Sequence, residues 1–176
     1  MATRKPIDVT VVLLEGGYAS TAVGPIEVFH SAGNLWNMLM GEEAHPRFRV
    51  RVASLDGRPV KSLCGLGLVA DHTISQIERT DIVILPASGL DLEQYIIRNT
   101  GLIAWLRRMH KRGAQVAGIC SGVAYLAEAG LLDGREGNRE NQKRARKQKD
   151  ARDFFPHKNS MMPKSKNGAA PSAMRP

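Results

Sequence analysis

The sequence predicts an α/β fold in which a largely parallel sheet is flanked by helices, and three observations carry that expectation. Apolar, β-branched runs recur at Ile7 to Leu14, Asp81 to Leu85 and Gln115 to Ile119, as strands buried on both faces require. Between them lie segments whose apolar residues recur at helical spacing, above all Leu102, Ile103, Trp105, Leu106 and Met109. Each of the three runs ends in a glycine-containing loop: Glu15-Gly16-Gly17, Pro86 to Gly89 and Cys120-Ser121-Gly122. In parallel sheets ligands gather beyond the carboxyl ends of the strands, so neighbouring strands would bring these loops into one pocket.

The elements follow in order. After the first strand, Ser20 or Thr21 is expected to cap a helix running through Val28, Phe29 and Ala32 to Gly33. Phe48 to Leu55 alternates and reads as a strand with one wetter face. Gly57-Arg58-Pro59 turns the chain, and Val60 to Ala70 reads as two short strands around Gly65-Leu66-Gly67. Thr100 is expected to cap the amphipathic helix that Gly113 ends. A last helix is expected over Ser121 to Ala129, stopped by Gly130. Leu35, Trp36, Met38, Leu39 and Met40 form an apolar patch that reads first as core cover, with a dimer or lid contact as the sharper alternative. Gly65-x-Gly67-x-x-Ala70 has the spacing of a dinucleotide fingerprint, but it opens no helix and no partner acid follows in the expected setting, so it reads as a hairpin.

Composition narrows the function classes. A chain of 176 residues suits one domain with a core, and no apolar run approaches the ~18 residues of a membrane span. The N-terminal apolar run ends in Glu15-Gly16-Gly17 without a small-residue cleavage pattern, so it reads as a strand and not a signal peptide. Two cysteines, Cys64 and Cys120, fit a reducing cytoplasm, and neither has the neighbours of a zinc site; no metal or cofactor is expected. The net charge of +8 is unevenly placed. Residues 1–134 hold 13 Lys and Arg against 13 Asp and Glu, whereas residues 135–176 hold 12 against 4. The first segment therefore reads as a neutral domain without a nucleic-acid footprint. The second reads as a basic tail, too polar to offset its ordering entropy, that can touch nucleic acid without specificity or simply stay solvated.

The chemistry concentrates at Gly118-Ile119-Cys120-Ser121-Gly122, which has the G-x-nucleophile-x-G spacing of a strand-to-helix elbow. A thiol there sits beside free backbone N–H groups and the positive end of a helix, which favour thiolate. The Ser121 N–H can donate to an oxyanion or bound carboxylate. The bland alternative is a small cysteine filling a gap between strand and helix. The elbow context favours the exposed thiol and predicts that Cys120 is more acidic and more accessible than Cys64. Cys120 is thus the candidate nucleophile or redox-sensitive residue, and Glu15, Gly16, Ser88, Gly89 and Ser121 are the candidate ligand-binding residues.

These motifs resemble those of the ThiJ/PfpI, or class I glutamine amidotransferase-like, superfamily. "AGICSGVAYLAEAGLLDGR" is similar to its elbow and following helix, and "TDIVILPASG" to its pocket loop after a buried strand. "VTVVLLEGGYASTAVGPIEVFHSAG" resembles its first strand and a G-P-x-E-V-F helix start at Gly24, Pro25, Glu27, Val28 and Phe29. The version most similar is the N-terminal sensor half of AraC-type transcriptional regulators. The resemblance implies a flavodoxin-like sandwich that binds a small metabolite, with a cysteine-dependent hydrolase, hydratase or amidase as the rival reading.

Two departures weigh against the enzyme. The resemblance puts an acid four residues before the proline, where this chain has Thr21, and a histidine soon after "LLDGR", where it has Glu136-Gly137-Asn138. Glu15 is the available substitute acid. His30, His45, His72 and His110 read as solvated or packing residues, and His157 lies in the tail. A thiol without a paired base is a poor hydrolase. The abrupt change after Arg135, with no helix-turn-helix pattern, leads us to expect a truncated or frame-shifted regulator whose sheet is incomplete at its C-terminal side, with a genuine divergent tail as the alternative. The partners expected are a small-molecule ligand and a second copy of the chain, with no membrane.

Overall fold

The computed structural model describes residues 5–89 and 91–134. The expected boundary after Gly134, the basic tail and His157 lie outside the described residues. In chain order the elements are β1 (Ile7–Val12), α1 (Ala19–Ser31), α2 (Leu35–Leu39), β2 (Phe48–Ser54), β3 (Val60–Lys61), β4 (Gly67–Leu68) and β5 (His72–Thr73). They continue with β6 (Ile82–Leu85), α3 (Leu92–Arg98), α4 (Thr100–Lys111), β7 (Gln115–Gly118) and α5 (Val123–Glu128).

Among the described residues five strands form one parallel sheet in the order β5-β2-β1-β6-β7. β1 lies at its centre, and Val9, Val11 and Val12 are wholly buried. Successive residues of a strand face opposite ways, so β1 feeds two cores. Val12 joins Val83, Leu85, Leu102, Leu106, Met109 and Tyr125 on one side, and Val9 and Val11 join Leu13, Ala22 and Ile84 on the other. The apolar stripe read from α4 is the face it buries: Leu102, Ile103, Trp105, Leu106 and Met109 are all buried. Residues 60–70 form the expected antiparallel hairpin, β3 with β4, and not a nucleotide-binding turn. Among the described residues β7 pairs only with β6, and Gln115 and Ala117 on it are exposed.

Several expectations are corrected. α1 begins at Ala19, with Tyr18 as its N-cap and no side-chain cap; neither Ser20 nor Thr21 caps it. Gly24 and Pro25 lie inside that helix, not at its start. Thr100 is the first residue of α4 and Asn99 its N-cap, because α3 occupies the chain just before. The helix expected from Ser121 is split: a 3-10 turn, Cys120–Gly122, precedes α5. The patch on α2 does not cover the core. Trp36 is 67% exposed and Leu39 70%, because α2 is a single short turn packed only lightly on α1.

Candidate functional site

β1, β6 and β7 are consecutive in the sheet, so the three glycine-containing loops lie side by side at its carboxyl end. Backbone hydrogen bonds join them. Tyr18 N–H donates to Ala87 O at 2.9 Å, and Ile119 N–H to Leu85 O at 2.9 Å.

Cys120 has φ +52°, the one non-glycine residue with positive φ among those described. A left-handed conformation costs a residue with a Cβ roughly 1–2 kcal/mol. The flanking glycines hold it there. A Cβ on Gly118 would stand 2.7 Å from Val123 N, and one on Gly122 would stand 2.6 Å from both Leu85 O and Pro86 O. Strand and helix therefore approach too closely for any other residue, and the Cys120 side chain is pushed outward, exposed. The N–H groups of Cys120 and Ser121 have no acceptor among the described residues. They are the available donors for an oxyanion.

The remaining expected residues have distinct placements. Ser121 locks the elbow to the β6 loop: its hydroxyl donates to Ser88 O at 2.9 Å and accepts from Ser88 N–H at 3.0 Å. Ser88 is 2% exposed, and its own Oγ has no hydrogen-bond partner among the described residues. Glu15 is not turned to the thiol; its Oε2 accepts the Lys61 N–H at 2.9 Å and clips the β3–β4 hairpin to the β1 loop. Gly16 N–H donates to Lys61 O at 2.7 Å, and Leu63 N–H to Gly17 O at 2.8 Å, completing that seam. Gly16, with φ +67°, and Gly89 both lie against the ring of Tyr95 from α3.

Thr21, at the position where the resemblance puts an acid, is engaged structurally. Its hydroxyl donates to Tyr18 O at 2.7 Å and accepts the Ala87 N–H at 3.0 Å, tying α1 to the β6 loop. Among the described residues no acid or histidine bonds to Cys120. His30 and His45 are exposed, His72 lies on β5 with Nδ1 buried and unpaired, and His110 lies on α4. No group of three or more His, Cys, Asp or Glu among these residues is placed to hold a metal.

Other features escaped the sequence reading. Cys64, at the hairpin tip, is exposed as well, so exposure does not separate the two thiols. The Ser62 hydroxyl 3.2 Å away holds the Cys64 thiol below its ordinary value, helped by the Leu66 N–H. Tyr125 is fully buried behind the β6 loop, and the Asn99 Nδ2 donates to its oxygen at 3.3 Å. Burial pushes that phenol up, against the opposing pull of the Asn99 amide and the Ser88 hydroxyl beside it. The Ser88 hydroxyl is close to Tyr125 without reaching hydrogen-bond geometry. The Asp91–Gln94 capping bond, 3.4 Å, that starts α3 is the local signal that could have placed Tyr95.

The opposite end of the sheet holds an open cleft of about 750 Å³ lined by Asp8, Arg49, Arg51, Glu78, Arg79 and Asp81, among others. One ion pair, Arg49 with Asp8, anchors it. Arg49 grips Asp8 through Nε at 2.5 Å and Nη2 at 2.8 Å, and Asp81 Oδ2 accepts the Asp8 N–H at 2.9 Å. The Arg49 hydrogen bond holds the Asp8 carboxyl below its ordinary value.

A parallel α/β sandwich with a strained cysteine elbow between neighbouring strand-end loops defines a class of protein, and the comparisons agree with it. Residues 8–139 match the DJ-1/PfpI family, and the chain belongs to that family. It is 34% identical over 88 residues to the HTH-type transcriptional regulator CdhR of Pseudomonas aeruginosa, covering 50% of this chain and 25% of that one. To the HTH-type transcriptional regulator GbdR of Pseudomonas aeruginosa it is 28% identical over 131 residues, covering 74% and 33%. The crystal structure of an AraC family transcriptional regulator from Pseudomonas putida superposes with a TM-score of 0.57 at 26% identity, covering 73% of this chain and 64% of that one. The chain thus spans a quarter to a third of the length of these two curated regulators. No helix among the described residues is long and apolar enough to cross a membrane.

Proposed function

We propose that this chain is the small-molecule-sensing part of an AraC-type transcriptional regulator, working in the cytoplasm and binding a metabolite at the three strand-end loops. The observation that carries the reading is the use made of Thr21. The position that the resemblance gives to a proton-holding acid is a hydroxyl already bonded to Tyr18 and Ala87, and Cys120 faces outward with no base bonded to it among the described residues. A thiol with free N–H donors beside it can bind an oxyanion, yet acyl transfer also needs a proton donor for the leaving group. Relatives that carry the regulator name over the same segment support the reading.

A second copy of the chain is the partner proposed for the exposed patch at Leu35, Trp36, Met38, Leu39 and Met40. Exposed apolar surface of this kind marks interaction sites. Non-specific contact of the basic residues beyond 134 with nucleic acid is the remaining partner proposal, argued from composition alone.

Thermal-shift screening of the full chain against a library of small metabolites tests the sensing reading. At least one compound should raise the melting temperature, and Cys120→Trp, which fills the mouth of the elbow, should abolish that shift. Stabilising compounds that act equally on the Cys120→Trp protein would place the site elsewhere and sink the reading.

A further inference from the structure

The notch between the first two strand-end loops is filled by a side chain from α3. The Tyr95 ring lies across it so closely that a Cβ on Gly16 would collide with the Tyr95 oxygen and ring edge, and one on Gly89 would stand 3.0 Å from Cε2. Gly89 has no positive φ, and a Cβ there would press on the ring and, at 3.1 Å, on the Gly16 carbonyl. Beside this seat lie groups with unspent donor capacity. Ser88 Oγ is buried and unpaired, and an orphaned buried hydroxyl is a cost that a native fold rarely carries without a use. Tyr125, fully buried next to it, is kept protonated by that burial, and the neighbouring Tyr95 oxygen pushes its titration further up. The Cys120 and Ser121 N–H groups complete the set. The one carboxylate at these loops, Glu15, is taken by the Lys61 N–H.

We infer that Tyr95 sets the size of ligand the strand-end site accepts, its ring standing where the ligand's tail must go, and that the ligand's head is a carboxylate received by the neighbouring donors. This rests on the sensing reading above. Neutral donors suit an anionic oxygen, because hydrogen bonds to a charged acceptor are the strong ones, and the one carboxylate at the loops, Glu15, is held to the hairpin by the Lys61 N–H. A short ligand would leave the ring in place. A longer one has to displace it, and because Ile96, the next residue of α3, packs on the core, that displacement disturbs the helix.

The test uses the full chain and straight-chain monocarboxylates from acetate to octanoate as probes, with binding read by calorimetry. Wild type should favour the short members. Tyr95→Ala should move the preference to longer chains, with a gain of about tenfold or more for hexanoate, the scale on which a hydrophobic pocket discriminates by a methylene or two. Tyr95→Phe should keep the wild-type order because the ring remains. Ser88→Ala should weaken every member about tenfold by removing a donor to a charged oxygen. If Tyr95→Ala does not fold, Tyr95→Leu carries the same test with a smaller shift. An unchanged chain-length order in the shortened variants would overturn the inference. So would binding of other metabolites at the loops with no carboxylate binding in any variant, although that outcome leaves the sensing reading standing. Failure of both carboxylates and metabolites to bind would remove the two together.

Discussion

The two ends of the sheet are built on opposite principles. At the amino end, charged side chains answer one another: Arg49 chelates Asp8, and Asp81 accepts the Asp8 backbone. At the carboxyl end there is almost no charge. Its structure is made of backbone contact, with Gly118 and Gly122 in near-van der Waals approach, Cys120 held at positive φ, and the Ser88 hydroxyl left without a partner. The amino end meets charge with charge at Asp8 and Arg49, though Arg51 keeps a buried Nε unpaired among the described residues, while the carboxyl end keeps strain and a neutral orphaned hydroxyl. Strain of this kind persists where surrounding packing over-determines it, and such places are disproportionately functional.

That contrast can be broken or sharpened by substitution, beginning with the largest effect. Gly122→Ala should be the most damaging, because the new methyl meets two backbone carbonyls that cannot swing aside. A loss of about 3 kcal/mol or failure to fold is expected from overpacking of this kind, read by urea denaturation. A loss under ~1 kcal/mol would mean that the β6 loop is not held against the elbow. Ser121→Ala removes both hydrogen bonds to the Ser88 backbone and leaves that buried N–H unpaired, which should cost about 1–3 kcal/mol. Cys120→Gly should instead stabilise the protein by up to about 1 kcal/mol, because glycine adopts positive φ without penalty and the lost side chain was exposed. Destabilisation there would show that the thiol makes packing contacts the strain argument ignores.

The smallest effect belongs to the amino end. Asp8 has a folded pKa lowered by its Arg49 hydrogen bond, so its contribution to stability is present above the unfolded value, ~3.9, and is lost as pH falls through the lower folded value. Asp8→Asn should therefore lower the melting temperature slightly at pH 7, and the difference from wild type should close as the pH is taken below about 4. Since Arg49 is 60% exposed, added salt should shrink it too. A difference that persists at low pH would mean that Asp8 acts through packing and not charge.

The same contrast explains what the sequence reveals. Strands carry their own signal, since buried parallel strands must be β-branched throughout, and "IDVTVV" and "DIVIL" say so locally. The elbow is legible because the G-x-C-x-G spacing is itself local, although only Gly118 faces a near neighbour, Val123, while Gly122 faces the Leu85 and Pro86 carbonyls from a distant strand end. The roles of Thr21, Ser88 and Asn99 are not legible, because their partners lie 66, 33 and 26 residues away and only the folded sheet brings them together. Tyr95 was missed for a similar reason: seven-residue α3 has too few apolar positions to show a period, and the glycines that receive its ring are far off in sequence. The α2 patch misleads in the other direction. Its apolar composition implies burial, but exposure depends on what packs over it, and among the described residues little does. The acidity of Cys64 depends on Ser62 turning back onto it in a hairpin tip, a geometry that spacing does not specify.

The proposal that the carboxyl end of the sheet binds without catalysing rests on a strained thiol to which no acid or histidine bonds among the described residues. It is tested most directly by steady-state turnover of the purified chain on amide, ester, isonitrile and α-oxoaldehyde substrates, with Cys120→Ala run alongside. The account predicts rates for wild type and Cys120→Ala that are indistinguishable from background. Turnover above roughly 1 s⁻¹, the low end of ordinary enzymes, that disappears in Cys120→Ala would contradict it and make this end of the sheet an active site.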